Sequence, residues 1–296
     1  AIWLAAGLFM TSTAGMAAGP IMPDPKAEAR HQPQVEETAN GIPLVNITAP
    51  SSGGVSRNEY ETFNVPDKGA ILNNSYTLSK TELAGYVQGN NNMAERPAKI
   101  IVNEVTGAGS TSMDGFLEVA GNRADVVIAN PNGITVNGGG FINTGKAFLT
   151  TGKPVYDGED HLQRFDITGG DILIEGKGLG GKETGSLAIL SRAVRINAGI
   201  WAKDLHITTG ANSIDAKTLE ASAIEGKGGH PAFALDTAAI GGMYAGRITL
   251  VGTEKGLGVN NSGTWSAEDN LTLDWNGDLK NSGTIYSKGN TDLRAS

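Results

Sequence analysis

The chain has 296 residues, a formal net charge of −8, 18% charged residues, 6% aromatics, 42 glycines and no cysteine. The acidic balance argues against nucleic acid or an anionic membrane surface as partner, since both call for a basic footprint. The lack of cysteine excludes a disulfide framework and a thiolate metal site, and 39% hydrophobic residues with so few aromatics call for a core of small and β-branched side chains on many short strands.

The chain opens with "AIWLAAGLFMTSTAGMAAGP". Residues 2–10 are apolar and small residues follow near Ala17 and Ala18, a pattern that predicts the remnant of an export signal over 1–18. The apolar run is shorter than the ~20 residues of a membrane-crossing helix, so no transmembrane segment is predicted. Residues 19–40, "GPIMPDPKAEARHQPQVEETAN", are rich in proline and charge and lack periodicity, which predicts a disordered linker.

From Gly41 onward short apolar runs alternate with Gly, Asn and Asp. Examples are "KIIVNEV" (99–105), "DVVIAN" (125–130), "DILIEG" (171–176), "RITLVG" (247–252) and "NLTLDW" (270–275). They read as strands of four to six residues. "NSGTWSAEDNLTL" starts at Asn261 and "NSGTIYSKGNTDL" at Asn281, so the text repeats after 281 − 261 = 20 residues. Within the repeat Trp265 matches Ile285, Asn270 matches Asn290 and Leu273 matches Leu293. A unit this short cannot bury its own apolar face, so successive units must stack. The expected fold is all-β, a parallel β-helix of about 20 residues per turn, right-handed by the crossover rule, with amide ladders of stacked Asn. Residues 101–296 at that pitch, with the turns before them, give on the order of twelve turns. Residues 41–100 fit the repeat poorly and are expected to form an N-terminal β cap with the first turns. The repeat is still in phase at Ser296, so the solenoid is expected to continue into a C-terminal part.

Catalytic chemistry is poorly supported. His31, His161, His206 and His230 are scattered and no metal or other cofactor is expected. Asp157, Glu159 and Asp160, with Lys153 and Arg164 nearby, are the nearest approach to the paired carboxylates of a polysaccharide-active β-helix enzyme. A solvated turn explains them better.

The stretches "GVSRNEYETFNVPDKGAILNNS" (54–75), "GYVQGNNNM" (85–93), "IIVNEVTG" (100–107) and "LEVAGNRADVVIANPNGITVNGGGFINTGKAFLTTGKP" (117–154) resemble the N-terminal secretion domain of two-partner-secretion exoproteins. This family comprises filamentous-haemagglutinin-like adhesins, haemolysins and contact-dependent-inhibition toxins of Gram-negative bacteria. The resemblance covers about residues 41–295. The family's Asn-Pro-Asn-Gly-Ile box matches Asn130, Pro131, Asn132, Gly133 and Ile134. Its Asn-Pro/Ala-Asn-Leu box falls on Asn90, Asn91, Asn92 and Met93, departing at the second and fourth positions. The resemblance implies a secretion and folding-nucleation module recognised by a TpsB-type outer-membrane β-barrel with periplasmic POTRA domains. It implies export through the periplasm to the outer cell surface, and no enzymatic activity. The residues alone read Asn130–Gly133 as a β-turn with Pro at its second position and φ > 0 at Asn132 or Gly133. Ile134, Val136, Phe141 and Ile142 are then core candidates. A carbohydrate-binding adhesin domain that meets a receptor or glycan on target cells is the alternative function.

Overall fold

The computed structural model describes residues 19–94 and 96–295; the predicted export-signal segment 1–18 lies outside them. Short strands run in turn through three parallel sheets, the architecture of a parallel β-helix. On the first sheet eight successive parallel pairings join nine strands, from Pro43–Asn46 to Thr284–Ser287. On the second, eight more join Val55–Phe63 through to Thr291–Ala295. The third sheet has seven strands, from Thr111–Met113 to Leu279–Asn281. One rung, for example, is Gly139–Ile142, Thr144–Thr150 and Asp171–Ile174.

The core is a set of inward columns. On the third sheet Ile134 pairs with Ile172, and the column continues through Val194 and Leu235 to Val259, all buried. Strands stack roughly 4.8 Å apart, so each side chain covers the one below. Burial of each such aliphatic group contributes about 1.5–3 kcal/mol. The adjacent column begins apolar at Met113, Val136, Ile174 and Ile196, then turns polar at Thr237, Asn261 and Asn281. There Asn261 Nδ2 donates to Asn281 Oδ1 at 2.8 Å, and Trp265 Nε1 donates to Thr237 Oγ1 at 3.0 Å. The 20-residue offset is one rung: Trp265 pairs with Ile285 and Leu273 with Leu293. Of the four core candidates, Ile134, Val136 and Phe141 are buried in the main core. Ile142 faces outward and is only partly buried, because it alternates with Phe141 on the same strand.

Nine first-sheet strands fall short of the twelve turns expected. The reason is that segments 75–98, 151–170 and 210–234 leave the coil. The first forms a hairpin of Ser79–Thr81 and Gly85–Val87. The other two build a four-stranded antiparallel sheet of Lys153–Tyr156, Leu162–Ile167, Asn212–Asp215 and Ala221–Ala223. Its Phe165, Ile167 and Ile214 pack on Val102, Val127 and Phe148 outside the second sheet. The early second-sheet strands are therefore apolar on both sides, which is why "KIIVNEV" and "DVVIAN" read as continuous apolar runs.

Residues 19–40 are not a disordered linker. Ile21–Pro23 pairs antiparallel with Val55–Phe63, and Gln34–Glu37 pairs antiparallel with Pro43–Asn46. A 3₁₀ turn, Ala29–His31, lies between them. Ile21 is buried and Val35 packs against the core. These strands occupy the open edges of the first rung, so closure of the solenoid's beginning starts at Ile21 rather than Gly41. Strands of three and four residues interrupted by proline leave no periodicity to read.

Candidate functional site: two asparagine boxes

Asn130 ends the second-sheet strand Ala124–Ala129 and is fully buried. Its backbone N–H donates to the Thr150 carbonyl at 2.9 Å. Its Nδ2 donates to the Gly109 carbonyl at 2.9 Å and to Thr111 Oγ1 at 3.0 Å. Its Oδ1 accepts the backbone N–H of Asn132 at 2.9 Å, and its carbonyl accepts Gly133 N–H at 3.1 Å. An Asx-turn and a β-turn are thus closed over the same four residues. Pro131 is exposed at the second position, where its fixed φ suits the turn. Gly133 takes the left-handed conformation at φ 108° and Asn132 does not. Ile134 leads into the core column. Asn132 is exposed, yet its Nδ2 donates to the Gly107 carbonyl of the preceding rung at 2.8 Å.

The first box repeats this device. Asn90 is buried, and its Nδ2 donates to the carbonyls of Ile47 and Asn73, both at 2.9 Å. Its Oδ1 accepts Asn92 N–H at 2.9 Å and its carbonyl accepts Met93 N–H at 3.1 Å. Asn92 Nδ2 reaches the same Ile47 carbonyl at 3.1 Å. Met93 is fully buried in the core, where the family pattern has Leu. The departures at Asn91 and Met93 leave the turn intact: Asn91 is exposed and Met93 fills the apolar position. In each box the first Asn folds the turn and the second pins a carbonyl of an earlier rung.

The two boxes are not brought together. Asn90 lies at the corner between the first and second sheets, beside Ile47 and Asn73. Asn130 lies at the corner between the second and third, beside Gly109 and Thr111. The carboxylates considered for catalysis also separate. Asp157 Oδ1 accepts the backbone N–H groups of His161 and Glu159, each at 2.9 Å, and the His161 bond chiefly holds its carboxyl below the usual range. Asp160 turns to Arg30 at 3.0 Å, and Arg164 pairs with Asp166. Among the described residues no group of three or more His, Asp or Glu is placed to hold a metal ion. No helix among them is long and apolar enough to cross a membrane.

A charged clamp went unpredicted. Arg57 lies 2.8 Å from Glu59 and 3.6 Å from Glu104, and its guanidinium sits 4.3 Å from the Tyr156 ring centroid. His31 Nδ1 is 3.1 Å from Glu59. Burial pushes the Glu104 carboxyl up to about 7; Glu59 adds to the shift, while Arg57 and Lys153 oppose it. His31 Nε2, Arg57 Nε, Glu104 Oε2 and the Tyr156 hydroxyl are buried without hydrogen-bond partners. The clamp joins the N-terminal strands, the second sheet and the covering hairpin.

The family model of the TPS secretion domain matches residues 20–285. The chain belongs to this family. This TPS domain is 42% identical over 294 residues to Toxin CdiA of Yersinia pestis, covering 92% of the chain and 9% of that protein. It is 44% identical over 264 residues to the 16S rRNA endonuclease CdiA of Enterobacter cloacae, covering 88% of the chain and 8% of that protein. The crystal structure of the filamentous hemagglutinin secretion domain superposes with a TM-score of 0.79 at 30% identity, over 94% of this chain and all of the other. The TPS domain thus spans under a tenth of the length of these curated relatives. It is a secretion module of CdiA-like and haemagglutinin-like exoproteins, non-catalytic in kind, and the family implies export with a partner transporter. The nuclease activity in a relative's name is said of that whole protein.

Proposed function

We propose that this TPS domain is recognised, before it folds, by the periplasmic POTRA domains of a TpsB-type outer-membrane β-barrel, and that it then folds at the outer surface as the nucleus of a longer solenoid. The observation that carries the reading is how the boxes use their amides. In the folded domain the Nδ2 groups of Asn90, Asn92, Asn130 and Asn132 are all engaged by backbone carbonyls or Thr111. Those Nδ2 groups are released from these bonds only in the unfolded chain. Holding turns is then the folded role of Asn90, Asn92, Asn130, Pro131, Asn132, Gly133 and Ile134, and transporter contact the earlier one. No cysteine crosslink obstructs passage of an extended chain through a barrel. The N-terminal strands with the rungs up to residue 100 serve as the cap from which rungs propagate. The protein so delivered is a surface-exposed adhesin or contact-dependent-inhibition toxin.

The test is export of Asn92→Ala and Asn132→Ala through the cognate barrel, with refolding of each purified variant measured alongside. Reduced export is expected with stability lowered by less than about 1 kcal/mol. Normal export of both variants would remove the recognition role and leave the boxes as turns.

A further inference from the structure

We propose that the outer surface of the first sheet binds a linear acidic polysaccharide along the solenoid axis. The inward columns of this sheet supply the core, and one outward column is aromatic. Phe116 pairs with Gly140, Gly140 with Gly180, and Gly180 with Trp201. The same column runs on through Tyr244 and Ser266 to Tyr286. Phe116 is 43% exposed, Tyr244 39% and Tyr286 51%. Trp201 and Tyr244 stack, with centroids 6.1 Å apart and planes within 16°.

The two glycines leave a trough between the Phe116 and Trp201 rings. A Cβ on Gly140 would sit 2.4 Å from the Phe116 ring, so that ring lies over the next strand only because the position is bare. The depression there has a volume of about 290 Å³, and Lys182 and Glu183 line it. A second, of about 500 Å³, lies beside Trp201 and Tyr244, lined by Lys203, Ser266 and Glu268.

Three features select the ligand. The strands concerned lie within the sheet, with their backbone groups already paired to neighbours, so a peptide cannot be added here as an extra strand. Recognition must come from ring faces and side-chain charges, and the apolar faces of pyranose rings stack on such rings. Successive rungs are roughly 4.8 Å apart, close to the length of one sugar unit, so a chain along the axis meets rings at one, two and three steps. Charge gives the third. Among the described residues Lys182 and Lys203 have no carboxylate partner, Glu268 is neutralised by Lys288, and Glu183 beside Lys182 is unpaired. Two lysines against one free carboxylate beside the rings, on a chain of net charge −8, favour a uronate over a neutral sugar.

The experiment is calorimetric titration of the full chain with alginate oligosaccharides and, in parallel, with neutral cellohexaose. Alginate is expected to bind, and more weakly as salt rises. Trp201→Ala and Tyr244→Ala are each expected to weaken it about tenfold, with the fold retained, unfolding midpoints lowered only by loss of the stacked pair, and export unchanged. Lys182→Ala with Lys203→Ala removes the preference over cellohexaose. Absence of binding by both sugars, or unaltered binding by Trp201→Ala, overturns the proposal. Concentration-dependent self-association abolished by Trp201→Ala overturns it in favour of an interface between copies of the chain.

Discussion

The rungs before residue 210 and those after residue 242 share three sheets but are held by different means. In the early rungs, polar side chains at the corners pin one rung to a backbone carbonyl of another: Asn90 donates to Ile47 and Asn130 to Gly109, both at 2.9 Å. A second antiparallel sheet covers the outside, and the buried ion cluster ties down the beginning. In the late rungs no strand among the described residues covers the outside. Like side chains stack in register, with Trp265 on Met243 and Asn261 on Asn281. A repeat that superposes on itself has a corner bond of its own, Asn261 Oδ1 accepting Gly263 N–H, whereas a coil interrupted by excursions must be re-registered after each one.

The largest effect that separates the two halves is expected from Trp265→Ala. It removes a fully buried indole and its bond to Thr237, at a cost of about 3–5 kcal/mol. Hydrogen-exchange protection should fall in 242–295 and persist in 100–136. Equal loss in both halves would show one cooperative unit rather than two differently built ones. Asn130→Ala comes next. It removes the short bond to the Gly109 carbonyl and leaves the Asn132 N–H without its partner, and is expected to cost about 2–3 kcal/mol, with Asn132→Ala at the surface costing under about 1 kcal/mol. Here the protection loss should centre on 107–136, and urea midpoints measure the ratio.

A smaller, pH-dependent effect belongs to Glu104. Its folded carboxyl titrates at about 7, above the ordinary 4.5. Between those values the folded state holds a proton that the unfolded state has released. Glu104's own contribution to stability is therefore fully present below about pH 4.5 and is lost as pH rises through 7, by on the order of 2 kcal/mol. Arg57, Glu59, Lys153, Tyr156, Asp160 and His31 face this group from the second sheet, the hairpin and the N-terminal turn. Glu104→Gln should flatten the difference between urea midpoints at pH 5.5 and pH 8. An unchanged slope would mean that another group carries the pH dependence.

The late rungs were legible because their corners are of equal length, so Asn261 and Asn281 fall at a constant offset. The early rungs were not, because segments 75–98, 151–170 and 210–234 shift that offset each time. The strands Ile21–Pro23 and Gln34–Glu37 escaped notice because antiparallel edge strands this short show no period. Both boxes could be found from their Asn-x-Asn spacing. What the second Asn touches could not, since the carbonyls of Ile47 and Gly107 are groups that every residue has. The clamp was equally hidden, because Arg57, Glu104 and Asp160 lie far apart along the chain and meet only through the sheet register.

The constant offset between Asn261 and Asn281 has a consequence for how such a gene changes. If residues 264–283 were excised, Gly263 would join Thr284 at the same corner, and Met243 would meet Ile285 where it now meets Trp265. Unequal recombination between neighbouring repeats would then yield a solenoid shorter or longer by roughly 4.8 Å with the strand register kept. The reach of the protein would be set by copy number.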